Sequence, residues 1–245
     1  MISPSKAQLL TVDSAKPRFV KLRFKSTASP KPLQEVLLPI RYLHPRSSFF
    51  KVPEGTKEGP GTSGRISQDV DIQELGLLNA ARTYKDYLEK AGRRVPLPES
   101  SDGNQAKIVL LKQCYRLGRA VNDVYFIDAV ADAISEVLRT LSPDDGVNSA
   151  IKHLWKDLPQ DGRLQDLLVD FYADTVKSEN AILNLQGKNM TVDFAWRVLH
   201  AHVRSKDNPA SYKDWLQKKK ECHYHQHSRI EGECWKQRQA AKETG

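Results

Sequence analysis

The sequence has few cysteines and no long apolar run, and both absences narrow the class of protein. Its three cysteines, Cys114, Cys222 and Cys234, are too few and too scattered for a disulfide framework, so a reducing compartment is expected. No apolar run approaches the roughly 20 residues that a bilayer span needs. The N-terminal residues lack the charged-then-apolar layout of a secretory signal. We therefore expect a cytoplasmic or nuclear protein that does not enter membranes.

The recognisable strings of catalytic sites are also absent. The chain contains no Gly-rich phosphate loop, no Gly-x-Ser-x-Gly string and no His-Glu-x-x-His string. Cys114 lies in a helical pattern among apolar residues, which favours a small buried hydrophobe over a nucleophile. His153, His200 and His202 are isolated on helical patterns, as surface or satisfied core histidines usually are. We expect no enzyme.

Basic residues outnumber acidic ones, but they are spread along the chain. The formal net charge is +8, and Lys218–Lys220 is the one run of three basic residues. A solvated surface is the favoured interpretation, because nucleic-acid binding normally shows a denser basic stripe or interleaved aromatics. A nucleic-acid-associated protein that uses the basic tail remains an alternative, although nucleic acid is not the expected partner.

The first part of the chain alternates in the manner of β-strands. Val20, Leu22 and Phe24 alternate with basic residues, which predicts a half-buried strand. Glu35–Ile40 predicts a second strand that ends near Pro39, and the segment that begins at Ile66 predicts a third.

The rest of the chain shows the apolar periodicity of helices. Leu77 to Leu88 predicts one helix, and Ile108 to Leu141 predicts two that are separated at Asn122-Asp123, because both residues prefer caps and turns. Apolar stripes continue after Leu141, with a helix start predicted at Thr191.

The expected organisation is a flexible leader (1–16), an α+β domain (17–141), an all-helical extension (142–216) and a basic tail that contains Cys and His (217–245).

The order of these elements and several local strings resemble a BTB/POZ domain, most closely the fungal type. The similar strings are Glu35–Ile40 leading into Ser47–Phe50, Asp69–Leu88, Leu110–Asp128, Arg163–Asp170 and Cys222–His227. The resemblance implies an α+β fold in which a small mixed sheet is flanked by helices and followed by a helical extension.

The resemblance also implies a function in protein–protein interaction. BTB/POZ domains self-associate or recruit partners, so the expected partners are other proteins, including a second copy of the chain. Some members recruit cullin-3 ubiquitin ligases through a loop with an apolar-x-Glu string, and Val52-Pro53-Glu54 lies at the similar place. A cullin-3 substrate adaptor is therefore an alternative function, with Val52 and Glu54 as partner-binding residues. An ordinary exposed loop acid is the favoured interpretation of Glu54.

The tail contains the one candidate for a metal site. Cys222, His225, His227 and Cys234 supply two thiolates and two imidazoles, a ligand set that tetrahedral zinc accepts. A structural zinc would also fix a tail that has no core of its own. However, the spacing is not a common finger pattern, and His223 competes as a ligand. The favoured interpretation is therefore a tail without a cofactor that packs on the helical extension through Tyr224 and Trp235, with zinc as the alternative.

Overall fold

The computed structural model describes the chain in segments. These are residues 19–24, 34–39, 65–69, 77–90, 94–97, 103–141, 145–156, 158, 162–175, 185, 190–207, 222–229 and 234. The structural statements below concern these residues.

Helices form most of the described structure. They are α1 (Leu77–Glu89), α2 (Gly103–Ala120), α3 (Val124–Arg139), α4 (Asp145–Trp155), α5 (Arg163–Thr175) and α6 (Val192–Asp207), and a short 3₁₀ turn follows at Gln226–Arg229. These bounds confirm the helix predicted near Leu77 and the two helices predicted on either side of Asn122-Asp123. The described helices include none with the length and apolar character of a membrane span.

Helix α3 lies at the centre of the described helices, and nearly all of its residues are buried. It packs along α2 on one side and contacts the 3₁₀ turn on another, while α2 also contacts α1 and α4. Three of its residues are alanines, Ala129, Ala131 and Ala133, whose small side chains allow neighbouring elements to approach closely. A helix buried on all sides is the expected centre of a helical fold.

The junction between α2 and α3 shows why the chain turns at this point. Asn122 adopts a positive φ of 51°, which Asn tolerates better than most residues. The next residue, Asp123, caps α3, because its Oδ1 accepts a hydrogen bond from the Phe126 backbone amide at 3.0 Å. Its other oxygen accepts a hydrogen bond from the buried Tyr84 hydroxyl of α1 at 2.7 Å. One carboxylate therefore both starts α3 and joins it to α1.

An aromatic cluster joins α4, α5 and α6. The Phe194 ring of α6 packs edge-on against Trp155 and Tyr172, with ring centroids 4.8 and 5.4 Å apart respectively. The predicted start of α6 is confirmed, because the Phe194 amide donates a hydrogen bond to the Thr191 hydroxyl at 3.3 Å. The inner face of α6 is thereby fixed on α4 and α5.

Three short strands precede the helices: β1 (Phe19–Phe24), β2 (Gln34–Pro39) and β3 (Arg65–Asp69). Their backbones pair in the order β2-β1-β3, with β1 and β2 antiparallel and β1 and β3 parallel. The structure describes strand side chains only at Val36, Leu37 and Leu38. Of these, Val36 and Leu38 join the described core.

The predicted fold class, an α+β fold with a BTB/POZ-like mixed sheet flanked by helices, is wrong. The fully described part of the chain is 79% helical, and it is a helical assembly and not a layer built on a sheet. The physical reason is that the helices supply most of the buried side chains that the structure describes, and α3 is buried at nearly all of its positions. The sequence alternation indicated local strands but not a sheet that organises the fold.

Candidate metal centre

Four side chains near the end of the chain converge on one point. One ligand atom from each of Cys222, His225, His227 and Cys234 lies within 4.8 Å of all the others. Cys234 Sγ is 3.7 Å from His225 Nδ1. Zn–S and Zn–N bonds of about 2.3 and 2.0 Å in a tetrahedral arrangement separate a sulfur from a nitrogen by roughly 3.5 Å. The spacing of these atoms therefore suits a tetrahedral metal ion.

A tight turn brings these residues together. The His225 backbone amide donates a hydrogen bond to the Cys222 carbonyl at 3.0 Å, and the 3₁₀ turn then carries His227 back beside His225. The two imidazole centroids are 5.1 Å apart. Cys222 adopts a positive φ of 60°, which costs a non-glycine residue roughly 1–2 kcal/mol. The turn therefore needs stabilising contacts from outside itself.

Helix α3 provides those contacts through two buried acids. Asp128 Oδ2 lies 2.5 Å from His227 Nδ1, and the Asp128 carboxylate also accepts hydrogen bonds from the backbone amides of Gln226 and His227 at 2.5 and 3.3 Å. Asp132 Oδ2 lies 3.3 Å from His225 Nε2. Both acids are buried, where an unpaired carboxylate is unfavourable. Asp128 is therefore hydrogen-bonded to the turn, and Asp132 forms an ion pair with His225.

Helix α5 holds the turn from a second direction. The Tyr224 hydroxyl donates a 2.5 Å hydrogen bond to Asp170 Oδ2. Burial of the Tyr224 ring and the nearby Asp170 charge both raise the pKa of its phenol, so Tyr224 stays protonated and keeps donating. The turn therefore contacts both α3 and α5.

The electrostatics of His225 differ from those of an exposed histidine. Burial alone would lower its pKa, but contacts with Asp132 and Cys234 and the charge of Asp128 raise the pKa to about 9. The nearby carboxylates therefore favour the protonated ring of His225. A metal ion at this site replaces a proton.

The chemistry of the four side chains is that of a closed metal site. Thiolate and imidazole ligands select a borderline-soft ion, and four protein ligands complete a tetrahedron without an open position. His225, His227 and Cys234 are buried, and Cys222 is partly exposed. The described residues contain no second group of this kind. The cluster can hold a metal ion.

The sequence named these four residues as candidate zinc ligands, and the structure brings them together in a group that could hold a metal ion. The favoured interpretation, a tail without a cofactor, stays a prediction. Tyr224 does pack on the helical part of the chain, yet it does so next to the convergent cluster and not in place of it. His223 is exposed and lies outside the cluster. Trp235, the other expected packing residue, lies outside the described residues.

The two supporting acids, Asp128 and Asp132, were not among the residues that the sequence predicted for the site. Their signal was present in the sequence. Asp128 and Asp132 are spaced one helical turn apart within the most apolar helical pattern of the chain, where a charged residue requires a buried partner.

The remaining candidate residues do not join the site. Cys114 is buried as expected, and burial raises the pKa of its thiol to about 12, although a hydrogen bond with Thr83 opposes this rise. His200 is exposed. His202 is buried, but it is not the satisfied core histidine expected, because neither ring nitrogen has a hydrogen-bond partner in the described structure.

Two predicted interaction segments lie outside the described residues. They are the Val52–Glu54 segment of the cullin-3 alternative and the basic run Lys218–Lys220. Both stay predictions from the sequence.

Comparison with known proteins does not assign the chain to a family. The chain matches no protein-family model. No curated protein and no solved structure matches it either. The resemblance to BTB/POZ proteins thus gains no support from relatives, and the function has to be inferred from the site itself.

Proposed function

We propose that this chain is a non-enzymatic zinc-binding protein in which the metal is structural. Cys222, His225, His227 and Cys234 bind one Zn²⁺ and fasten the C-terminal turn to α3 and α5. The observation that carries this proposal is the convergence of four thiolate and imidazole ligand atoms within 4.8 Å. Because all four positions of the tetrahedron come from the protein, no position is left for a substrate or an activated water.

The energetics also favour a structural role. Apparent binding free energies of structural zinc in small peptides are about 10–16 kcal/mol at neutral pH. The turn has little apolar surface of its own, and Cys222 holds an unfavourable backbone angle. Zinc binding therefore supplies the stabilisation that hydrophobic burial does not.

The zinc content of the purified protein tests this proposal. Protein made without a histidine tag should carry about one zinc per chain, because the site has one set of four ligands. The double variant Cys222→Ser/Cys234→Ser should carry almost none. Cys114→Ala is the matched control, since it removes a buried cysteine away from the site and should retain the zinc. A wild-type chain without zinc, or a double variant that retains it, would overturn the proposal.

A second candidate function, protein binding through self-association, is favoured by the outer surface of α6. Four apolar residues, Val192, Trp196, Leu199 and Val203, repeat at steps of four, three and four, and we call them the outer stripe. Trp196 is 60% exposed and Val192 is 86% exposed. A repeat at this average spacing is the seam along which helices pair.

We propose a second copy of the chain as the partner of the outer stripe. The spacing reads the same in both directions, so an antiparallel copy places Val192 opposite Val203 and Trp196 opposite Leu199. This is the self-complementarity that a two-fold interface requires. The mass of the chain in solution tests this candidate.

A further inference from the structure

We infer that Asp128 and Asp132 are the positioning residues of the metal centre and that they select opposite ring nitrogens of its two histidines as ligands. This inference rests on the proposed zinc site and deepens it. It makes α3, which supplies no ligand itself, the element that decides how tightly the metal binds.

The first half of the inference comes from His227. Its Nδ1 is held by Asp128 Oδ2 at 2.5 Å, which leaves Nε2 as the nitrogen that is available to a metal ion. The same carboxylate accepts the backbone amides of Gln226 and His227, so both the ring and the backbone that carries it are fixed. Ligating histidines commonly donate their second ring N–H to a carboxylate in this way.

The second half comes from His225, which is oriented in the opposite sense. Its Nε2 faces Asp132 Oδ2 at 3.3 Å, while its Nδ1 is the atom 3.7 Å from Cys234 Sγ. His225 therefore binds the metal through Nδ1. The two acids are neighbours on one face of α3, about 5–6 Å apart as side chains four residues apart are. Because the two histidines lie close together in a tight turn, they reach one metal ion through different ring nitrogens.

Burial makes these contacts strong. Asp128 is fully buried, and the side chain of Asp132 is 9% exposed. A buried carboxylate that accepts an imidazole N–H raises the basicity of the ring and strengthens its bond to a metal. Removal of the negative charge should therefore weaken metal binding even where the shape of the side chain is kept.

The test is the zinc affinity of Asp128→Asn and Asp132→Asn, measured by competition with a chelator of known affinity. Each variant should bind zinc about 10–100-fold more weakly than the wild type. Asp170→Asn is the matched control, because Asp170 holds the turn through Tyr224, which is not one of the four proposed ligands. It should change the zinc affinity much less. Thermal melts of the zinc-loaded variants show that the helical core is intact.

A spectroscopic measurement on the wild-type protein tests the same inference and does not depend on whether a variant folds. Side-chain ¹H–¹⁵N NMR of the zinc-loaded protein should show one histidine bound through Nε2 and the other through Nδ1. Two histidines that bind through the same nitrogen, or Asn variants with unchanged zinc affinity, would overturn the inference while leaving the zinc site in place. A wild-type chain that binds no zinc would overturn the proposed function instead.

Discussion

We expect removal of zinc from the wild-type protein to lower its midpoint of thermal unfolding by about 8–16 °C. A ligand present at a thousand times its dissociation constant stabilises the folded state by about 4 kcal/mol. For chains of about 150–250 residues, each kcal/mol shifts the midpoint by roughly 2–4 °C. Differential scanning calorimetry with zinc and with an excess of chelator measures this difference.

The destabilisation should reach the helical core and not only the tail. When the turn separates from α3 and α5, three buried or partly buried acids lose their contacts. Asp128 loses His227, Asp132 loses His225, and Asp170 loses Tyr224. Two of these acids lie on the central helix α3, where an unpaired carboxylate is costly. The double variant Cys222→Ser/Cys234→Ser is the control, and its midpoint should not respond to the chelator. Equal midpoints for the wild type with and without zinc would contradict a structural role.

Replacement of Trp196 by Glu should convert a self-associating chain into a monomer. Trp196 is the largest side chain of the outer stripe, and a buried charge at its position would face the apolar Leu199 of the other copy. Four side chains bury less than the roughly 800 Å² per partner of a standard interface, so we expect a dimer that forms only as concentration rises. Sedimentation equilibrium over a range of concentrations measures this behaviour.

Two further variants separate the expected arrangement from others. Leu37→Glu changes another partly exposed apolar residue, far from α6 in the sequence, and should leave self-association unchanged. Val192→Cys/Val203→Cys should form a disulfide-linked dimer on mild oxidation, whereas each single variant should not, because only an antiparallel pair brings the two positions together. Wild-type protein that stays monomeric at all concentrations would contradict the proposed self-association. A covalent dimer of either single variant would contradict the antiparallel order.

The sequence predicted the local elements better than their assembly. The period of apolar residues indicated the helices, and the cap preferences of Asn122-Asp123 and Thr191 marked their ends, because these signals lie within a few residues of one another. Which element becomes the centre depends on contacts between distant segments. Alternation near the N-terminus suggested that a sheet organises the fold, whereas the described structure is mostly helical and α3 is buried at nearly all of its positions.

The candidate site shows the same limit. The types and proximity of Cys222, His225, His227 and Cys234 were sufficient to nominate the four ligands. The supporting acids lie about a hundred residues earlier in the chain, and no local pattern connects Asp128 with His227. Only the packing of the turn on α3 does so. Two acids one turn apart on a strongly apolar helix are the feature from which such a partner can be anticipated.

The most direct measurement of the central claim is the X-ray absorption spectrum of the metal in the purified protein. The account predicts a four-coordinate zinc with two sulfur neighbours at about 2.3 Å and two nitrogen neighbours at about 2.0–2.1 Å. A first shell of oxygen and nitrogen atoms alone, or a shell that contains water, would contradict a closed site made by Cys222, His225, His227 and Cys234.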